Sequence, residues 1–232
     1  MNNLKIAIVG SGWYGCHIGM ILDSLGYEVT IFEKDNQILN KASGNNQYRL
    51  HKGFHYARNH RTRSQSLEGF SLFLDRYPSL IRNVNKNYYL IPKSDSILDF
   101  QTYKSIMTSS AIDFYEIKSI PKYLSNIEGL LSVDEKVILT HKSREYYMKK
   151  IGHLIKFNRN VTKVENLRNS LLLNGDRFDF LIDTTWGHLG YCNLAKIFEP
   201  TLLLYYRARG TENVPALTLV DGPLCSLYPT EN

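Results

Sequence analysis

The sequence predicts an α/β fold built on a parallel sheet, with a smaller α+β lobe attached, and three observations carry that expectation. A short apolar run, Lys5 to Val9, is followed by a glycine turn, a stretch of helical period and a second β-rich run that ends at Glu33. Short β-rich runs recur between residues 155 and 183 and again between 202 and 220. The composition, 43% hydrophobic and 22% charged over 232 residues, suits one core-forming domain plus a lobe.

Each element has its own signal. Lys5 to Val9 lacks the alternation of a half-exposed strand and reads as a parallel strand buried on both faces. Ile18, Ile21, Leu22 and Leu25 recur at helical spacing, and Gly26 stands as the stop. Val29, Ile31 and Phe32 form the second strand, completing a βαβ opening. Residues 41–60, rich in Gly, Asn and His, read as an irregular segment. A helix from Thr62 to Arg76 ends before Pro78, and Asn87 to Pro92 is a strand. Further helices are expected from Ile97 to about Ser109 and from Ser143 to Leu154, with a mixed stretch between them through Val133 and a short strand at Lys136 to Leu139. Strands at Ile155–Phe157, Val161–Val164, Leu171–Leu173 and Phe178–Asp183 follow, with a hairpin turn at Asn174-Gly175. The last β-like runs are Leu202 to Arg209 and Ala216 to Val220. In domain terms, 1–80 and 136–195 are expected to form the main domain, with 81–135 and 196–232 forming the lobe.

The formal net charge is +6, and a single segment carries it. Between Asn36 and Leu67 there is no acidic residue, while Lys41, Arg49, Lys52, Arg58, Arg61 and Arg63 stand there beside His51, His55 and His60. No nucleic-acid-reading motif accompanies the charge, so a site for small anions is the functional reading and a solvated basic face the structural one. Neither nucleic acid nor a membrane is expected as a partner. No apolar run reaches the ~18–20 residues of a membrane span. Three cysteines, Cys16, Cys192 and Cys225, form no C-x-x-C pair, so neither a disulfide framework nor a metal site is expected, and a reducing, cytoplasmic setting fits.

Gly10-Ser11-Gly12-Trp13-Tyr14-Gly15 is a G-x-G-x-x-G placed between a strand and a helix. The first glycine allows the tight turn, the second lets a pyrophosphate approach the backbone, and the third lets helix and strand pack closely. The helix N-terminus offers its N–H groups to the phosphates. Glu33 stands 18 residues beyond Gly15, close to the ~20 of the dinucleotide fingerprint, where a carboxylate accepts from ribose hydroxyls and repels a 2′-phosphate. Together these predict a Rossmann-like domain for FAD or NAD.

Ile6-Ala7-Ile8-Val9-Gly10-Ser11-Gly12, then Glu33-Lys34, then Ala42-Ser43-Gly44-Asn45-Asn46, resembles the D-amino-acid oxidase/sarcosine oxidase superfamily of FAD-dependent oxidoreductases. The resemblance implies a flavoprotein in which Ser43, Gly44, Asn45 and Asn46 run along the flavin, with Arg49, His51, His55 and Arg58 near its ring. It also implies Val161 as a neighbour of the adenine and Trp186-Gly187 as backbone lining the dinucleotide. The family's members are longer and carry a C-terminal glycine-containing turn, so the chain is expected to stop before that segment.

The chemistry implied is removal of hydride from a carbon bearing an amine or hydroxyl group, on a small anionic substrate such as an amino or hydroxy acid. Arginine's planar fork suits a carboxylate, which points to Arg49 and Arg58, while His51 and His55 suit hydrogen bonds to substrate or flavin. Two other readings stay open: a flavin-dependent nucleotide-sugar mutase, and a truncated, non-catalytic nucleotide-binding remnant. An NAD-dependent dehydrogenase is disfavoured, because Ser43 to Arg58 shows no helical pattern. Cys16 reads as a packed helix residue.

Overall fold

The computed structural model describes residues 4–190, 197, 200–205, 214–222 and 224–230. In chain order the elements begin with β1 (Lys5–Val9), α1 (Trp13–Ser24), β2 (Glu28–Phe32), β3 (Arg49–Leu50), α2 (His60–Arg76), β4 (Ile81–Asn83) and β5 (Asn87–Pro92). They continue with α3 (Phe100–Ser109), β6 (Tyr115–Glu116), β7 (Ile127–Ser132), β8 (Lys136–Ile138), α4 (Thr140–Ile151) and β9 (Ile155–Lys156). The last are β10 (Val164–Asn166), β11 (Leu171–Leu173), β12 (Asp176–Phe178), β13 (Phe180–Asp183), β14 (Ala216–Leu219) and β15 (Ser226–Leu227). The chain divides into two compact units: 1–46 with 140–202, and 47–139 with 203–232.

The first unit holds a parallel sheet in the order β13-β1-β2-β9. Ile6 to Val9 are all buried, as a central parallel strand requires. Gly19 of α1 lets the helix sit close on the sheet, since a Cβ there would stand 2.6 Å from Ile31 Cδ1. Ala7, Val9, Phe32, Val161, Leu173 and Phe178 form a core beside a second, antiparallel sheet β10-β11-β12. Its β11–β12 turn is the expected Asn174-Gly175, with φ of 48° and 96°, the left-handed pair of a type I′ turn.

The second unit is built on a five-stranded sheet, β15-β14-β5-β7-β6, in which only β14 and β5 run parallel. Phe54, Tyr89, Ile91, Phe100, Tyr103, Met107 and Leu131 are among the side chains of its core. A small antiparallel sheet, β3-β8-β4, belongs to the same unit. The segment 47–80 clusters here, because β3 pairs with β8 and Phe54 and Ala57 enter this core.

Several expected boundaries move, each for a local reason. The helix expected from Ile97 starts at Phe100, since the Asp99 side chain accepts from Thr102 N at 2.8 Å and caps it there. The helix expected from Ser143 to Leu154 runs over Thr140–Ile151 and closes in a 3₁₀ turn at Gly152–Leu154. Residues 161–163 are not strand: Asn174 binds Asn160 O and Thr162 N with its side chain, so the turn residue holds this segment. The run Phe178 to Asp183 divides at Asp179 between two sheets, with Asp179 bonded to both N and O of Lys5. The mixed stretch before Val133 contains β7, whose pattern is obscured by Glu128 and by Gly129, over which the Phe100 ring packs. Residues 202–205 form no strand, and 206–209 lie outside the described residues, as does Cys192.

Candidate functional site

The glycine turn lines a cavity of about 980 Å³, walled by Val9 to Gly12, Phe32 to Lys34, Asn40 to Ser43, Arg159 to Val164 and Thr184 to Trp186 among others. That is at the upper end of the ~300–1,000 Å³ of small-molecule sites. Gly10 has φ +100°, and a Cβ there would stand 2.9 Å from Thr184 Oγ1, which itself donates within reach of the Val9 and Gly10 carbonyls. A Cβ on Gly15 would lie 1.9 Å from Gly10 O, so this glycine serves the packing of helix on turn. Gly12 is the N-cap of helix α1 and brings no side-chain cap; Ser43 Oγ accepts from Trp13 N at 3.1 Å instead.

Glu33 is buried and its carboxylate is tied to the turn. Oε2 accepts from Ser11 N at 2.9 Å and Ser11 Oγ at 2.5 Å, and Oε1 accepts from Asp35 N at 2.9 Å. A carboxylate offers about four acceptor positions, so one remains. Val161 is buried in the core and also meets the cavity, as do Lys34, Ser43 and the exposed Trp186.

Other expected residues are placed differently. Trp13 packs edge-on to Tyr147, with ring centroids 5.4 Å apart, while Tyr14 is exposed. Asn45 and Asn46 bond back to the carbonyls of residues 40–42 and shape their own loop. Gly44 has Leu39 O where a Cβ would be, and Gly187 has φ 75°; neither they nor Asn45 and Asn46 are among the residues lining the cavity. Cys16 is fully buried, and burial, with the Glu33 charge second, pushes its thiol up to about 12, which makes it a packing residue.

A second polar cluster lies within the second unit. The Arg49 Nη1 donates to Thr218 Oγ1 at 2.5 Å and meets His55 Nε2 at 3.1 Å, while the guanidinium lies 3.9 Å over the Tyr228 ring. Among the described residues its buried Nε and Nη2 have no hydrogen-bond partner, and neither does His51 Nδ1. The His51 and His55 rings stand edge to face at 5.1 Å. Burial, then the charge of Arg49, lowers His51 to about 4 and His55 to about 3. Behind His55 stand Tyr89 and Glu135, both fully buried. Tyr89 OH is 2.9 Å from His55 Nδ1 and donates to Glu135 Oε2 at 3.0 Å.

Arg58 is brought elsewhere: its Nε pairs with Asp221 Oδ2 at 2.6 Å. Tyr89, Glu135, Thr218 and Tyr228 escape the sequence reading. One signal was available, since Asn87 and Tyr89 fall two apart on one strand and so share its face. Glu135, between Asp134 and Lys136, reads as a solvated turn charge and gave none.

Comparison with known proteins places this geometry. Residues 5–51 match the family model described as pyridine nucleotide-disulphide oxidoreductase. An FAD-dependent monooxygenase of Fusarium mangiferae is 46% identical over 231 residues, the whole of this chain, which spans 62% of that relative's length. The fold is similar to that of glycine oxidase from Geobacillus kaustophilus, with a TM-score of 0.62 and 17% identity over 81% of this chain and 58% of that one. It is similar also to L-α-glycerophosphate oxidase from Mycoplasma pneumoniae, with a TM-score of 0.62 and 16% identity over 78% of this chain and 53% of that one. The relative, the glycine turn and the parallel sheet agree: the chain is similar in sequence to an FAD-dependent monooxygenase and shares its fold with these two oxidases.

Proposed function

We propose that the first unit holds FAD and that the second takes a small carboxylate-bearing substrate on Arg49, as parts of an FAD-dependent oxidoreductase. The cavity fits the cofactor: its wall is a glycine cradle that Cβ atoms would fill, and Glu33 keeps an acceptor position for a ribose hydroxyl. Gly10, Ser11 and Gly12 would hold the pyrophosphate, Glu33 the ribose, and Val161 the adenine. Bound there, FAD would supply two-electron redox chemistry.

The observation that carries the substrate reading is the unpartnered Nε–Nη2 edge of Arg49. These two nitrogens lie side by side on the guanidinium and match the two oxygens of one carboxylate. Arg58 already spends its Nε on Asp221. Burial keeps His51 and His55 from adding a competing charge, and His51 Nδ1, without a partner among the described residues, adds one hydrogen-bonding nitrogen to the cluster. An amino or hydroxy acid held there is the class of substrate proposed, with hydride leaving the carbon beside the amine or hydroxyl.

The similarity to a monooxygenase favours a second outcome, insertion of one oxygen atom of O2 while the other leaves as water, with the two electrons for that water supplied by an added nicotinamide reductant in this arm of the test. The test is to load the chain with FAD and add amino and hydroxy acids, following flavin reduction without oxygen and product mass with it. Dehydrogenated product, lost in Arg49→Met, supports the first outcome; product heavier by one oxygen supports the second. If no carboxylate-bearing compound reduces or consumes anything, while neutral compounds do, the Arg49 reading is overturned.

A further inference from the structure

Glu135, Asn87 and Tyr89 are all but fully buried, and they form a polar line leading into the core from the side of β5. Three donors converge on the Glu135 carboxylate: Lys52 N at 3.0 Å, Asn87 Nδ2 at 3.1 Å and the Tyr89 hydroxyl at 3.0 Å. A tyrosine has one proton, and here it points at Glu135. The 2.9 Å contact between Tyr89 OH and His55 Nδ1 therefore requires the imidazole to donate. A neutral ring that carries its proton on Nδ1 has a bare Nε2, and a bare Nε2 is what Arg49 Nη1, a donor only, meets at 3.1 Å.

We propose that Glu135 and Tyr89 are positioning residues: through one directed chain of hydrogen bonds they hold His55 as its Nδ1–H tautomer, and His55 in turn fixes Arg49 by Nη1 so that the Nε–Nη2 edge stays open for a carboxylate. The use of that edge rests on the reading of Arg49 given above; the tautomer does not. The opposite tautomer, or an imidazolium, sets an N–H of His55 against an N–H of Arg49. Burial and the Arg49 charge both work against the imidazolium, in the same direction as the geometry. Thr218 Oγ1 on Nη1 and the Tyr228 ring under the plane complete the clamp, leaving the guanidinium no rotation that keeps all three partners.

The test uses the full 232-residue chain labelled with ¹⁵N-histidine, with His55 assigned by the loss of its signals in His55→Asn. Long-range ¹H–¹⁵N correlation at neutral pH is expected to show a pyrrole-like Nδ1 and a pyridine-like Nε2 for His55. Tyr89→Phe removes one oxygen and is expected to shift His55 away from the Nδ1–H form and to weaken acetate binding about tenfold, the loss of one charge-assisted contact's worth of order. An Nε2–H tautomer or an imidazolium in the unaltered chain overturns the proposal, as does a Tyr89→Phe variant with both readouts unmoved. If the variant does not fold, the tautomer of the unaltered chain decides alone. A chain that shows the Nδ1–H tautomer and loses it in Tyr89→Phe, yet binds no acetate, keeps the relay and sinks the carboxylate reading of Arg49.

Discussion

His51 and His55 make the acid sensitivity of this protein a local matter. Both native values, about 4 and about 3, lie below the ~6.5 of a free imidazole, so the unfolded chain binds more protons than the native one between those limits. Stability is therefore lost as pH falls below about 6.5, by about 2 kcal/mol per histidine at pH 5. The groups facing the pair are Arg49, Tyr56 and Tyr89, with Glu135 behind; burial raises Glu135, which opposes the loss in part. Urea midpoints at pH 7 and pH 5 are expected to separate clearly in the unaltered chain and to draw together in the double variant His51→Asn, His55→Asn. An equal drop in both would place the sensitivity elsewhere. At this scale the sequence showed the titratable residues but not their setting. The basic run 36–67 reads as a small-anion site or a solvated basic face, yet Lys41 pairs with Asp35, Arg58 pairs with Asp221, and Arg49 and Arg63 turn inward. Only tertiary placement separates these fates, because four similar charges in one segment carry no label of their partners.

The irregular segment that carries His55 depends on an element that follows it. Arg63, buried in the first turns of α2, donates from Nη1 to Tyr56 O at 2.7 Å and Ala57 O at 3.0 Å, and from Nε to Ser110 Oγ at 2.7 Å. Gly53 runs directly against its backbone, where a Cβ would stand 2.9 Å from Arg63 O. Arg63→Met keeps the apolar stem but takes the guanidinium from Ala57 O and leaves Tyr56 O with Asn59 N alone, at a cost of about 1–3 kcal/mol for a carbonyl left buried and unpaired. The expected result is a lower unfolding midpoint, together with faster amide exchange confined first to residues 53–59. Faster exchange spread evenly over the second unit would mean that Arg63 serves the core rather than the turn. Elements with a strong local signal were legible: β1, α1, β2 and β5 stand where periodicity puts them, and Asn174-Gly175 turns a hairpin because both residues tolerate positive φ. What was lost to the sequence was β7, since a central strand interrupted by Glu128 and Gly129 has neither alternation nor a continuous apolar run.

The whole molecule is two units that the chain enters alternately, crossing near residues 46, 139 and 202. The glycine turn, its acidic partner and the cavity all belong to the first, and the Arg49–His55–Tyr89–Glu135 line to the second. The dinucleotide fingerprint was legible because it is local: strand, turn, helix and strand lie within 33 residues. The second cluster was not, since Arg49, Glu135 and Thr218 are drawn from three distant parts of the sequence by the pairing of β3 with β8 and of β14 with β5. Ligand bound to the native state alone raises its stability, so FAD is expected to raise the unfolding temperature if the cavity is its site. The most direct measurement is the visible absorption spectrum of the 232-residue chain after incubation with FAD and desalting, beside Glu33→Gln, which sets an amide N–H against the donors of Ser11 or Asp35. An FAD site in this cavity predicts flavin bands that stay with the unaltered chain and are weakened at least about tenfold in the variant, as the loss of a charged acceptor in a buried site implies. A folded chain that leaves the column colourless and gains no thermal stability from FAD would contradict it.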